Sequence, residues 1–443
     1  MTNRLCLILL LLSGGAIAQD TLTIDKAIQI ALQNNYAIKI ADRNKQVAEN
    51  NYTRGNAGFL PVVNASATKN YSNSNLNQVF FPTGGVARPP LDASGVKGNT
   101  FNSGVNFTWT IFNGLGMFYA YNRLDEQKKS SLDSLQIVME NTLATVSNNY
   151  YNVIQQNQRL NVLNSALRIS AQRLDLAKAQ YEVGSGSKLN YLAAQVDFNT
   201  DSSTVILQAQ SLQNAKVGLN QALSREANAA FLVSDTIIVD EKLDLATLKQ
   251  NTFQNNPSLL QIQRRSNIAY YQMKQLYAQR FPTINLLSSY NYTTSEAAQG
   301  FGAQSSKNLI WNYGLGASIN IFNGFNLNRQ IQNAKIQQEI TDLRIKDLQV
   351  QLDASLETAY NNYRNSLSLL SIEKRNLEVA RQNIDIALER YKIGVATFLE
   401  LRDVQLNSIT TAGRLIDAEF NTKLAEIELL RLSSQIIMET PTK

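Results

Sequence analysis

Four short patterns in this chain occur twice at constant offsets, and this duplication constrains the fold more than any single motif. Ile111-Phe112-Asn113-Gly114 returns as Ile321-Phe322-Asn323-Gly324, and Tyr181-Glu182-Val183-Gly184 returns as Tyr391-Lys392-Ile393-Gly394, both at an offset of 210. Asn34-Asn35 and Leu60-Pro61 return as Asn255-Asn256 and Phe281-Pro282, both at an offset of 221. The offset changes between Pro61 and Ile111, where the Gly- and Pro-rich stretch Phe81 to Gly98 reads as a loop insertion. Two constant offsets mark a tandem duplication. The reading is a first repeat at 19–224, a connector at 225–242, a second repeat at 243–434 and a C-terminal tail at 435–443.

Each repeat has the order helix, two strands, very long helix, break, helix. Positions 117–183 and 325–393 contain neither Gly nor Pro, and breaker-free tracts of that length favour uninterrupted helix. Apolar residues recur there at steps of three and four, as in Leu132, Leu135, Met139, Val146, Tyr150 and Val153, then Leu352, Leu356, Tyr363, Leu367 and Leu370. At 1.5 Å per residue such a helix is on the order of 100 Å long. A rod of that length with one apolar stripe needs neighbouring helices, and its polar opposite face can line water.

The strands show the other period. From Phe101 the odd positions Phe101, Ser103, Val105, Phe107, Trp109 and Ile111 alternate with Asn102, Gly104, Asn106, Thr108 and Thr110. From Leu309 to Ile321 the positions Leu309, Trp311, Tyr313, Leu315, Ala317, Ile319 and Ile321 alternate with Asn312, Gly314, Gly316, Ser318 and Asn320. Each run has roughly the 9–11 residues of a tilted membrane strand, with an aromatic apolar face opposite a Gly, Asn and Ser face. Alternation alone also fits a soluble antiparallel sheet over a core. The lipid-facing set expected of a membrane sheet is Phe101, Val105, Phe107, Trp109, Leu309, Trp311, Tyr313 and Leu315. Two hairpins give four strands per chain, and a membrane barrel needs at least about eight, so several copies must share one.

Composition removes whole classes of chemistry. The chain has no His, and its one cysteine, Cys6, lies in a segment read as a cleaved leader. Without them there is no Ser-His-Asp or Cys-His pair, no zinc site with nitrogen or sulfur ligands and no disulfide. The expectation is a chain that is not an enzyme and holds no cofactor or metal. Arg4, the apolar run Leu5 to Leu12 and Ala16-Ile17-Ala18 form a secretory signal at 1–18, and no later apolar run approaches spanning length. Lys plus Arg (41) exceed Asp plus Glu (35), but the surplus of +6 is spread along the chain, unlike the clustered charge of a nucleic-acid binder. Gly184-Ser185-Gly186-Ser187-Lys188 lacks the spacing of a phosphate loop and follows a helix, not a strand.

The chain resembles the TolC family of outer-membrane efflux proteins across about Leu22 to Ser434. Both Ile-Phe-Asn-Gly turns carry the resemblance, as do the two tips Tyr181-Glu182-Val183-Gly184 through Leu189-Asn190-Tyr191-Leu192 and Arg390-Tyr391-Lys392-Ile393-Gly394 through Leu399-Glu400-Leu401-Arg402-Asp403. The resemblance implies a mainly α fold with a membrane β-barrel: a homotrimer whose twelve strands form one outer-membrane barrel, continuous with a twelve-helix periplasmic tunnel. It implies a passive exit duct for efflux or type I secretion, opened at its periplasmic tip by a membrane-fusion adaptor. That adaptor is fed by an inner-membrane transporter of the resistance-nodulation-division or ABC type.

Under that resemblance, Val183, Gly184, Ser185, Gly186 and Ser187 and their repeat partners Ile393, Gly394, Val395, Ala396 and Thr397 are the exposed turns an adaptor grips. Tyr391, Glu400, Asp403 and Asn190 are the periplasmic constriction. Glu400 and Asp403, three apart on a helix, share a face, and copies of them would form an acidic ring that attracts cations. They also read as solvated acids favoured by a helix N-terminus. Two positions depart from the family: Ala396 stands where an arginine partner of the tyrosine is expected, and Asn190 where the first repeat often has an aspartate. The alternative reading, a soluble periplasmic coiled-coil adaptor or scaffold, accounts for the helices and leaves the apolar strand faces without lipid.

Overall fold

The computed structural model describes residues 21–82, 84–233, 236–297 and 304–436. The leader at 1–18, with Cys6, and the tail beyond 436 lie outside the described residues. In chain order the elements are β1 (Thr21–Leu22), α1 (Ile24–Asn34), α2 (Tyr36–Asn51), β2 (Val62–Gln78), β3 (Leu91–Asn113), α3 (Gly116–Glu182) and α4 (Lys188–Ala222). There follow β4 (Leu232–Val233), α5 (Leu245–Asn255), α6 (Pro257–Ala278), β5 (Thr283–Ala297), β6 (Ser305–Ser318), α7 (Asn326–Lys392) and α8 (Phe398–Leu432).

The duplication is carried into the backbone. α3 and α7 each have 67 residues, and α4 and α8 each have 35. Left-handed residues recur at the same offset: Gly114 and Leu115 with Gly324 and Phe325, Gly184 with Gly394, and Ser224 with Ser434. Ser224 and Ser434 end α4 and α8 in the same way, with Arg225 N–H donating to Asn220 O at 2.9 Å and Gln435 N–H to Leu430 O at 2.8 Å. That six-to-one closure satisfies helix-end carbonyls.

The single N-terminal helix expected of each repeat is two helices. Asn35 and Asn256 stand in extended conformation between them. Each side-chain carbonyl accepts the N–H two residues on, at Ala37 (2.9 Å) and Ser258 (3.0 Å), which caps the next helix. Each side-chain amide donates to the last carbonyl of a distant helix, Ala222 at 2.9 Å and Leu432 at 3.0 Å. The repeated Asn-Asn pattern thus marks a junction of three helix ends.

The chain divides into two compact units that cut across the repeats. One comprises 1–43, 133–260 and 347–443 and holds most of α3, α4, α7 and α8 together with the β1–β4 pair. Its core gathers Leu22, Ala31, Val146, Tyr150, Val153, Ile154, Leu219, Leu223 and Phe231, and Tyr150 Oη donates to Leu22 O at 3.1 Å. A second cluster in this unit joins Ile384, Ala387, Tyr391, Ala396 and Leu401.

The other unit comprises 44–132 and 261–346 and contains one antiparallel sheet in the order β2-β3-β5-β6. Two boundaries differ from the sequence reading. The stretch from Leu91 to Gly98 is not loop but the start of β3, paired with β2 as far as Gln78; its glycine supplies a bulge, with Gly95 left-handed and its N–H held by Asn75 Oδ1 at 2.9 Å. β6 stops at Ser318, because its partner β5 begins at Thr283, so Ile319 and Ile321 lie past the strand. At the exit of β3, Gly114 is obligatory twice over: φ is +67°, and a Cβ there would lie 2.3 Å from Ala278 O. Among the described residues no helix is long and apolar enough to cross a membrane.

Candidate functional site

Cross-strand partners share a face, so the register sorts side chains without further assumption. Val105 pairs with Ala65 and Tyr290, and Tyr290 with Trp311. Phe107 pairs with Val63 and Ser288, and Ser288 with Tyr313; Trp109 pairs with Leu286, and Leu286 with Leu315. Ser103 pairs with Ala67 and Tyr292, and Tyr292 with Leu309. Phe101 heads the row Lys69, Phe101, Thr294 and Lys307. All eight residues expected to face lipid therefore lie on one side, and on β6 they are open, with Trp311 66% exposed.

The opposite side reads Asn64, Asn106, Ser289 and Asn312 in one row, and Thr68, Asn102, Thr293 and Asn308 in another. Between these rows a Cβ on Gly104 would sit 2.0 Å from Asn291 Oδ1, so the glycine makes room for that amide. β2 and β6, of 17 and 14 residues, have no strand on their outer edges among the described residues. Unpaired edges of that length, together with an apolar face partly buried on β3 and open on β6, call for further partners.

In the helical unit, the two tip turns are the same structure built twice. Gly184 (φ +79°) and Gly394 (φ +77°) reverse the chain, and Gln180 O and Arg390 O each accept two N–H groups, from Ser185 and Gly186 and from Val395 and Ala396. Ser187 and Thr397 then cap α4 and α8 through Asn190 N–H (3.1 Å) and Glu400 N–H (3.2 Å). Val183, Gly184, Ser185, Ser187, Ile393, Gly394, Val395 and Thr397 are exposed, and Gly186 is half-buried. Ala396 corrects the expectation of a fully exposed turn: it is 7% exposed, in the same apolar cluster as Tyr391 and Leu401.

The constriction residues separate. Tyr391 is buried, and burial pushes its hydroxyl pKa up, against the opposing charge of Arg173. Glu400 does not stand alone, since its Oε1 lies 3.4 Å from Arg390 Nη1 across the turn. Asp403 and Asn190 are exposed, and Asp403 makes no ion pair among the described residues.

A charged knot near the tip was not legible in the sequence. Arg402, in the first turns of α8, makes a bidentate pair with Asp201 of α4 at 2.8 and 3.2 Å, and its Nε lies 3.4 Å from Asp197. Arg173 of α3, 1% exposed, donates to Asp197 at 2.8 Å and lies 4.8 Å over the Phe398 ring. Burial lowers the Arg173 pKa, and Asp197 works against that. Ser170 donates to Asp201, and Gln405 donates to Ser170 and to Ala166 O, both at 2.9 Å. Three helices are thus pinned by two guanidiniums and two carboxylates. The positions 210 later or earlier are Asn383, Asn407, Thr411 and Leu192, so the knot has no counterpart in the other repeat.

A duplicated chain of long antiparallel helices with one open, two-faced sheet is a protomer of the outer-membrane channel fold. The chain superposes on the crystal structure of CusC with a TM-score of 0.75, covering 93% of this chain and 91% of that one at 19% identity. A membrane protein from Pseudomonas aeruginosa gives 0.77, with 93% and 92% covered at 17% identity. Among curated relatives, outer membrane protein TolC of Salmonella enteritidis is 21% identical over 98% of this chain and 89% of its own length. The cation efflux system protein CusC of Escherichia coli K12 is 21% identical over 91% and 84%. The family described as outer membrane efflux protein matches residues 27–225 and 248–434, and the chain belongs to it.

Proposed function

We propose that three copies of this chain close one twelve-stranded barrel in the outer membrane, continuous with a twelve-helix tunnel in the periplasm. The assembly serves as the passive exit duct of an efflux or type I secretion system. The observation that carries this reading is the sheet: four strands, two edges unpaired among the described residues, one apolar face and one polar face. Pairing β6 of one copy with β2 of the next satisfies both edges, turns the apolar face to lipid and gives water the polar face. Two copies supply eight strands and three supply twelve; three is the number that the family resemblance implies. A soluble scaffold leaves the Trp311 face unexplained.

The turns at Val183–Ser187 and Ile393–Thr397, through their exposed residues and not the buried Ala396, are where a membrane-fusion adaptor docks, and an inner-membrane transporter of the resistance-nodulation-division or ABC type drives cargo. The knot of Arg402, Asp201, Asp197 and Arg173 supports a tip held shut within each copy: α8 swings from α4 only if partly buried ion pairs open. In planar bilayers Arg402→Ala is expected to conduct several-fold better than wild type. Equal conductance removes the knot from the gate, and no conductance from either protein removes the duct.

A further inference from the structure

Between Val62 and Ser74, Val96 and Thr110, Thr283 and Glu296, and Ser305 and Ser318, the sheet contains four charged residues: Lys69, Lys97, Glu296 and Lys307. The register places every one on the apolar side. Lys69 and Lys307 share the row of Phe101, Glu296 shares the row of Tyr71 and Asn99, and Lys97 pairs with Asn73 beyond it. All the aromatic residues of these strand segments lie on that side too: Tyr71, Phe101, Phe107, Trp109, Tyr290, Tyr292, Trp311 and Tyr313. What remains opposite is Asn, Ser, Thr and Gly, with Val62, Val96, Leu287 and Ile310 as the apolar exceptions.

We infer that the inner wall of the barrel exercises no charge selection, so that solutes of either sign traverse it alike. This inference rests on the barrel reading proposed above. The uncharged wall runs about 40 Å along β2, or about 30 Å of pore axis at the usual strand tilt. Its centre is therefore about 15 Å from charges at either end, close to two screening lengths at physiological ionic strength. The lysines and Glu296 lie on the side turned to lipid: Glu296 and Lys307 are at the ends of β5 and β6 where the two strands connect, Lys69 shares the row of Lys307, and Lys97 lies beyond them. The wall offers cargo amide and hydroxyl groups that exchange readily with water, and no ring on which aromatic cargo would stack.

Single cysteines test this directly, because Cys6 is the sole cysteine of the sequence. Asn106→Cys and Asn312→Cys in the reconstituted assembly are treated from the extracellular side with a cationic and an anionic methanethiosulfonate, each rate being normalised to a free thiol. The two reagents are expected to react within about threefold of each other, whereas a wall of one sign favours one of them by about tenfold or more. A tenfold preference at both positions overturns the inference. Adding Asn106→Asp beside Asn312→Cys should create a cationic preference of several-fold, and its absence also overturns the claim that wall charge sets the local field. A reactive Ser103→Cys with a silent Asn106→Cys reverses the two faces, and with them the barrel reading.

Discussion

Asn256 donates its side-chain amide to the carbonyl of Leu432 at 3.0 Å, which ties the break between α5 and α6 to the end of α8. Its oxygen caps α6 through Ser258, and Asn35 repeats the arrangement with Ala222 and Ala37. Asn256 is buried and Asn35 only half-buried. Losing a cap and a buried hydrogen bond costs about 1–3 kcal/mol. Asn256→Ala should therefore lower the midpoint of thermal unfolding more than Asn35→Ala does. Equal effects would mean that burial of the junction does not matter.

The Arg402–Asp201 pair makes a prediction about pairs against singles. Removing one partner leaves a mostly buried charge with only its lesser partner, Asp197 for Arg402 or the Ser170 hydroxyl for Asp201, and costs up to about 3 kcal/mol, whereas replacing both with apolar residues costs much less. Arg402→Met and Asp201→Leu should each increase protease cutting at the tip turns, and the double variant should be closer to wild type. Additive single effects would show that the two side chains act independently.

Glu140 gives the helical unit a pH dependence. It is buried against Ser434 and Gln136, and burial raises its pKa above the ordinary 4.5, while those hydrogen bonds and Arg431 pull it down. A carboxyl with a raised folded pKa holds its proton more tightly when folded. Its contribution is complete below 4.5 and is lost as pH rises through the raised value. Wild type should thus lose stability relative to Glu140→Gln as pH increases over that window. Parallel denaturation curves for the two proteins would contradict it.

Neighbours in sequence should differ sharply in the sheet. Trp311→Arg places a charge on the apolar face; if that face meets lipid as proposed, the charge costs about 2–4 kcal/mol near the membrane midplane, while Asn312→Arg turns it to the polar face. The first should reduce the heat-resistant assembly recovered from outer membranes, and the second should leave it intact. The opposite order would invert the sheet.

The sequence made the regular parts legible because they depend on local signals. Breaker-free tracts become α3 and α7 to within a residue or two, and the eight positions expected to face lipid share one face of the sheet. The split at Asn35 and Asn256 was hidden because an asparagine pair marks a repeat as readily as a cap. The early start of β3 was masked by Gly95, Asp92 and Lys97, which read as loop until pairing with β2 is known. The knot was invisible for a different reason: Arg173, Asp197, Asp201 and Arg402 are ordinary charges on three helices, and only packing brings them together. Arg390 stood within the tip motif, yet its pairing with Glu400 depends on the turn between them, so one of the two acids expected at the constriction has a cation beside it.

The central claim is that copies of this chain share one barrel, and the most direct measurement is the mass of the particle purified from outer membranes, with bound detergent subtracted. The account predicts three chains per particle, with each β6 paired to a neighbour's β2. A folded single chain that keeps both sheet edges free in detergent would contradict it.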